Sequence, residues 1–237
     1  MKVALLQLNV SDDPAANLDV TRGLLADAAA QGAQFVCTPE VSNCVSTSRD
    51  HQRSVLHSEE DDPTLAALRA DTAALGVWLL IGSLGLKTDD ADGRFANRSF
   101  LIDPQGGIAA QYDKIHMFDG QVSPTETWQE SAGYRPGDQA VLARTPFGNV
   151  GMTICYDVRF PALFQALADA GADILTVPAA FSPVTGAANW HTPWGEVLLD
   201  AGTQAGVYVC DLDLSQIDIA RGKVPSVSHK RPFGLPQ

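Results

Sequence analysis

Three side chains in this sequence are candidates for nucleophilic and acid–base chemistry: Cys155, Glu40 and Lys114. The apolar, β-prone run from Val150 to Ile154 stops at Cys155. Tyr156 and Asp157 turn the chain, and from Arg159 the pattern becomes helical, with Leu163, Ala166, Leu167 and Ala170 on one face. A cysteine at such a junction lies near free helix N–H groups, a setting that lowers a thiol's pKa and suits a nucleophile. The alternative is a small buried core residue, the fate of most lone cysteines. Glu40 follows the short apolar strand 34–38 across Pro39, where a carboxylate costs desolvation unless it has a partner or a task. The plain reading there is a salt-bridged edge residue. Lys114 stands among aromatics in 112–119 and is either a solvated lysine or an ammonium drawn into a pocket beside carboxylates.

The elements that must position these residues alternate between strand and helix. A strand over 2–9 leads to a helix over 15–30, capped by Asp12 or Asp13 and closed by Gly32. After the 34–38 strand, residues 41–62 read as a polar rim loop, and Asp62-Pro63 opens a helix to Leu75. The continuous apolar run 77–84 predicts a strand covered on both faces. Strands over 97–103 and 108–112 follow, then a Gly-, Pro- and Thr-rich loop to Gly137. Strands over 139–144 and 150–154 bracket the Pro146-Phe147-Gly148 turn, and 173–178 predicts another buried strand. A loop over 179–190 precedes strands over 196–199 and 207–212, a helix over 216–221 capped by Ser215, and a loose tail from Pro225. This order predicts a layered α/β fold in a single domain over 1–237.

Composition narrows the partners. The chain is 45% hydrophobic and 19% charged, which fits a globular protein. A net charge of −12 argues against nucleic acid or an anionic membrane as partner. No segment has the run of apolar residues that spans a bilayer. Cys37, Cys44, Cys155 and Cys210 form no CxxC pair, and the five histidines lack ligand spacing, so no metal site is expected. Scattered free thiols fit a reducing cytoplasm.

Taken together, Thr38-Pro39-Glu40, Tyr112 to Asp119 and Cys155-Tyr156-Asp157-Val158-Arg159-Phe160-Pro161 resemble the three signature segments of the nitrilase superfamily of carbon–nitrogen hydrolases. The segments 178–191 and Pro193-Trp194-Gly195-Glu196-Val197-Leu198 resemble its Nit branch, the ω-amidases and deaminated-glutathione amidases. The resemblance implies an α-β-β-α four-layer sandwich and a Glu40, Lys114, Cys155 triad acting without metal or organic cofactor. Glu40 would take the thiol proton, the thiolate would attack an amide carbonyl, and the Lys114 ammonium and the Tyr156 backbone N–H would meet the oxyanion. It places Glu130 as a second carboxylate beside the lysine. For a small carboxylate-bearing amide as substrate, Arg159 is the candidate anion partner and Phe181 and Thr185 candidate pocket walls. The competing role for Arg159 is a helix-start residue bonded to Asp157.

The sequence departs from its relatives between His191 and Pro193, where a helix and strands of the family are missing. Such a gap predicts an incomplete C-terminal third, exposed apolar surface and loss of part of the usual homodimer face. Two rival expectations stand beside the amidase. One is a catalytically impaired member retained as a binding or scaffold protein. The other is a Cys–His hydrolase, which needs His116 rather than Glu40 within hydrogen-bond reach of Cys155.

Overall fold

Two stacked β-sheets with helices on their outer faces make up the core of the chain. The computed structural model describes residues 1–123, 126–180, 189–191 and 195–224. In chain order the elements begin with β1 (Lys2–Gln7), α1 (Pro14–Ala30), β2 (Phe35–Cys37), α2 (Arg49–Val55), α3 (Pro63–Leu75), β3 (Trp78–Leu86), β4 (Phe95–Ile102) and β5 (Ile108–Asp113). There follow β6 (Asp119–Ser123), β7 (Glu126–Gln129), β8 (Tyr134–Arg135), β9 (Val141–Thr145), β10 (Gly148–Met152), α4 (Pro161–Asp169) and β11 (Ile174–Thr176). The last are β12 (Asn189–His191), β13 (Val197–Asp200), β14 (Gly206–Asp211) and α5 (Ser215–Lys223).

The first sheet runs β14-β1-β2-β3-β4-β5, with β8 paired to β4, and the second runs β11-β10-β9. Period-two alternation sorts the first sheet's side chains between two cores. Ala4, Leu6, Val36, Leu79, Ile81, Phe100 and Ile102 pack with Leu25 and Ala28 of α1 and Leu65 and Leu68 of α3. Val3, Phe35, Cys37, Leu80 and Leu101 point the other way, against Ala143, Val150, Met152 and Ile154 of the second sheet. On the far side of β10, a Cβ built on Gly151 would lie 3.3 Å from the Leu167 side chain, so α4 covers that face. The layers are therefore helix, sheet, sheet, helix.

Several local expectations need correction. Residues 41–62 are not all loop, because Ser48 accepts from the His51 N–H and starts α2. The expected loop after Lys114 contains the β6–β7 hairpin, in which Gly120 pairs Trp128 and Gln121 pairs Thr127. Of the two candidate caps for α1, Asp13 is the one used. Ser215 does not cap α5; Asp213 accepts from its N–H and hydroxyl instead. The helix expected from Arg159 begins at Pro161, after a five-residue 3-10 turn over Cys155–Arg159. Strand β11 is an edge strand rather than a buried one, since among the described residues it pairs only with β10 and Leu175 is 44% exposed. The tail from Pro225 lies outside the described residues. Among the described residues no helix is long and apolar enough to cross a membrane.

Candidate active site

Strand direction brings the three candidate residues to one edge. β2 and β3 are parallel, β4 reverses on β3, and β5 reverses on β4, so the C-terminal ends of β2 and β5 share an edge. Glu40 lies three residues beyond β2 and Lys114 directly after β5. Cys155 lies three residues beyond β10 in the facing sheet.

The Glu40 turn is strained and braced. Val41, the next residue, has φ 46°, a left-handed conformation that a β-branched side chain resists. Its N–H donates to Ser83 Oγ at 2.7 Å, and the Ser42 N–H donates to the Ser83 carbonyl at 2.9 Å. Ser83 and Gly82 sit at the irregularity in β3, where register with β4 shifts between Ile81 and Leu84. A Cβ at Gly82 would lie 2.1 Å from the Thr38 carbonyl oxygen, so only glycine lets this strand pass under the turn.

Lys114 is 2% exposed and all three of its ammonium protons are engaged. Its Nζ lies 2.8 Å from Glu40 Oε1 and 2.9 and 2.8 Å from the two oxygens of Glu130. Asn97, in β4, donates from Nδ2 to Glu40 Oε1 at 2.9 Å and to Glu130 Oε1 at 3.2 Å. Glu130 Oε2 also accepts from the Phe118 N–H at 2.7 Å, and Glu40 Oε2 from the Ala180 N–H at 2.9 Å. A carboxylate has about four acceptor sites. Among the described residues four hydrogen bonds meet Glu130 and three meet Glu40, whose carboxylate also faces the Cys155 thiol.

The cysteine turn is built in the same way. Cys155 has φ 46°, and its N–H donates to the Pro178 carbonyl at 2.8 Å. Two residues on, the fully buried Asp157 accepts from the Ile154 N–H (2.9 Å), the Tyr112 hydroxyl (2.7 Å) and the His116 N–H (3.0 Å). Asp157 also meets His116 Nδ1 at 2.7 Å, and the His116 ring stacks on Phe160. The Tyr156 N–H lies in the first turn of the 3-10 segment, where i→i−3 bonding gives it no acceptor inside that segment.

The charges follow from burial and proximity. Burial alone pulls the Lys114 pKa down, but Glu40, Glu130 and Cys155 outweigh it and hold the ammonium above its ordinary value. The Cys155 thiol is pushed up to about 12, first by burial and then by the Glu40 charge, with Lys114 opposing. This reverses the expectation of a lowered thiol pKa. The neighbouring helix starts too late to act, and a carboxylate is the close partner.

Of the substrate-side candidates, Arg159 ends the turn that Cys155 begins. It is exposed and makes no hydrogen bond or ion pair among the described residues. The anticipated bond to Asp157 is not made, because Tyr112, Ile154 and His116 take that carboxylate. Phe181 and Thr185 lie outside the described residues. Sequence reasoning missed Asn97, Ser83 and the bracing role of Asp157. The one visible signal was the polar Asn97-Arg98-Ser99 stretch set between the apolar residues Phe95 and Phe100.

A family model, carbon-nitrogen hydrolase, matches residues 2–211. The chain belongs to the carbon–nitrogen hydrolase family. Among members of this family, it is 39% identical over 202 residues to the deaminated glutathione amidase of Yersinia enterocolitica, covering 84% of this chain and 68% of that protein. It is 31% identical over 269 residues to the ω-amidase NIT2 of Bos taurus, covering 97% of this chain and 95% of that protein. That match is longer than the 237 residues of this chain, so it bridges family residues that have no counterpart here. The fold is that of the C. elegans NitFhit protein, with a TM-score of 0.88 at 23% identity, over 97% of this chain and 65% of that one. The resemblance to the nitrilase superfamily and its Nit branch is thereby upheld.

Proposed function

We propose that this carbon–nitrogen hydrolase is an amidase that cleaves a small carboxylate-bearing amide through a thioester on Cys155. The observation that carries the reading is the interaction of the Glu40 carboxylate with the Cys155 thiol, beside an ammonium that both glutamates hold. Glu40 takes the thiol proton as Sγ bonds to the amide carbonyl carbon, and the carbonyl π electrons move to oxygen. Protonation makes Glu40 a weaker acceptor for Lys114. An ammonium proton is thus released towards the oxyanion as its charge appears, and the Tyr156 N–H is the second donor. When the tetrahedral species collapses, the C–N bond breaks and Glu40 returns its proton to the leaving nitrogen, which departs as ammonia. Water then attacks the thioester with Glu40 as base, giving the carboxylic acid and the free thiol. Each step uses only the chain's own side chains and main chain.

The saturated Glu130 acts as a fixed counter-charge that keeps Lys114 in place rather than as a proton carrier. Arg159 is the bidentate partner for the substrate carboxylate. Amides of 2-oxo acids and deaminated glutathione fit this chemistry, in keeping with the activities that name the bovine and Yersinia relatives. A Cys–His mechanism is disfavoured by the engagement of His116 with Asp157 and Phe160. The impaired-member reading draws on exposed Leu175, Val177, Val197 and Leu198, apolar surface of the kind a shortened C-terminal third would uncover. In that reading part of the usual homodimer face is lost with the missing segment.

Ammonia release from 2-oxoglutaramate and from deaminated glutathione, with Cys155→Ala and Glu40→Gln alongside, decides among these readings. Wild-type release no greater than that of Cys155→Ala sinks the amidase reading. Loss in His116→Ala with retention in Glu40→Gln favours the Cys–His alternative.

A further inference from the structure

One uncharged residue touches all three charged members of the site. The Asn97 carbonyl accepts from the Lys114 N–H at 3.0 Å, and its Nδ2 bridges Glu40 Oε1 and Glu130 Oε1. The side chain is buried, and its Oδ1 has no hydrogen-bond partner among the described residues. Turning the amide over would aim that oxygen at two carboxylates, so electrostatics fix its orientation. A buried acceptor left without a donor costs free energy that a leucine here would avoid. Retaining the amide despite that cost points to what its two N–H groups do.

We infer that Asn97 is a positioning residue that spaces and partly compensates the two glutamates, so that Glu40 is aimed at the Cys155 thiol as its proton acceptor while sharing one ammonium with Glu130. The inference rests on the amidase reading above for its link to turnover, although not for its chemistry. Two carboxylates and one lysine leave a net negative charge in a buried pocket beside the thiol, and a surplus of that kind opposes thiolate formation. A second lysine would neutralise the surplus and also weaken Glu40 as a base. A neutral amide donates to the ionised form of both acids without adding charge, and its rigid planar NH2 group sets their separation. The carbonyl of the same residue holds the main chain at Lys114, so a single strand position indexes acid, acid and ammonium together.

The test is the rate of Cys155 alkylation by iodoacetamide against pH. It is followed by mass spectrometry in the full-length protein, with Cys155→Ala subtracting the other thiols. In wild type the acid limb reports ionisation of the Cys155 thiol, which the Glu40 charge opposes. Asn97→Leu is expected to move that limb to higher pH, slowing alkylation at a fixed pH on the limb roughly tenfold. Asn97→Ser, which keeps one donor, is expected to give a smaller shift in the same direction. Amide turnover should fall in kcat with KM little changed. A limb that stays in place in a folded Asn97→Leu protein overturns the inference, whatever its melting temperature. Where Asn97→Leu does not fold, Asn97→Ser decides by the same criterion. A shifted limb in a protein without amide turnover keeps this inference and defeats the amidase reading. Normal turnover with an unmoved limb does the reverse.

Discussion

The Tyr112 hydroxyl donates to the Asp157 carboxylate at 2.7 Å, across 45 positions of sequence. The bond ties β5, which delivers Lys114, to the turn that begins at Cys155. Asp157 collects further donors from Ile154 and from the main chain of His116, so one buried carboxylate clamps the two sheets where the chemistry is proposed. Tyr112→Phe removes one of these donors and is expected to cost about 1 kcal/mol of stability. Asp157→Ala strands several buried donors at once and is expected to cost ~3 kcal/mol or more. Denaturant melts of both variants check the order. Equal effects would contradict the clamp.

Strain sits next to both the proposed base and the proposed nucleophile. Val41→Gly relieves the left-handed φ of 46°, a gain on the order of 1 kcal/mol that offsets the flexibility of glycine. The expected variant melts no lower than wild type but turns amide over several-fold more slowly, because Glu40 is less firmly aimed. Val41→Ala keeps the strain and serves as the control. Melting temperature and kcat measured on the same preparations separate the two effects.

The thiol's pH behaviour has a definite sign. Its pKa in the fold is raised to about 12, above the unfolded value of ~8.5. Protonation of Cys155 therefore contributes stability that is fully present below the unfolded value. That stability is lost as pH climbs through the folded one. Melting temperature should fall more steeply above pH ~9 in wild type than in Cys155→Ala.

Glu40→Gln removes the charge and the acceptor that raise the thiol and leaves Lys114 to lower it. Thiolate absorbance near 240 nm should then appear at lower pH than in wild type, while amide turnover falls on the order of 10³-fold. A thiol that titrates higher in Glu40→Gln would falsify this account of the pair.

Arg159 provides the test of substrate charge. Arg159→Ala is expected to raise KM for a carboxylate-bearing amide by roughly tenfold or more, as a charge-assisted bidentate contact is lost. A neutral amide of similar size should be little affected. Comparable losses for both substrates would remove Arg159 from the binding role.

The sequence by itself determined the alternation of strands and helices and the family, because periodicity and short motifs are local in the chain. Cys155, Glu40 and Lys114 were legible for the same reason, each ending or following a strand at a distinctive motif. The hairpin after Asp119 was not legible, since its Gly- and Thr-containing strands gain their structure from pairing with each other. Nor was the direction of the Cys155 pKa shift. A motif shows that a cysteine precedes a helix, but burial and the approach of Glu40 from another strand decide which form of the thiol is favoured. Asn97 and Asp157 became visible only in three dimensions. Their neighbours are strangers in sequence, Glu40 lying 57 positions from Asn97 and Tyr112 lying 45 from Asp157. Hydrogen bonding acts over about 3 Å, and only the folding of the sheets brings such groups within that reach.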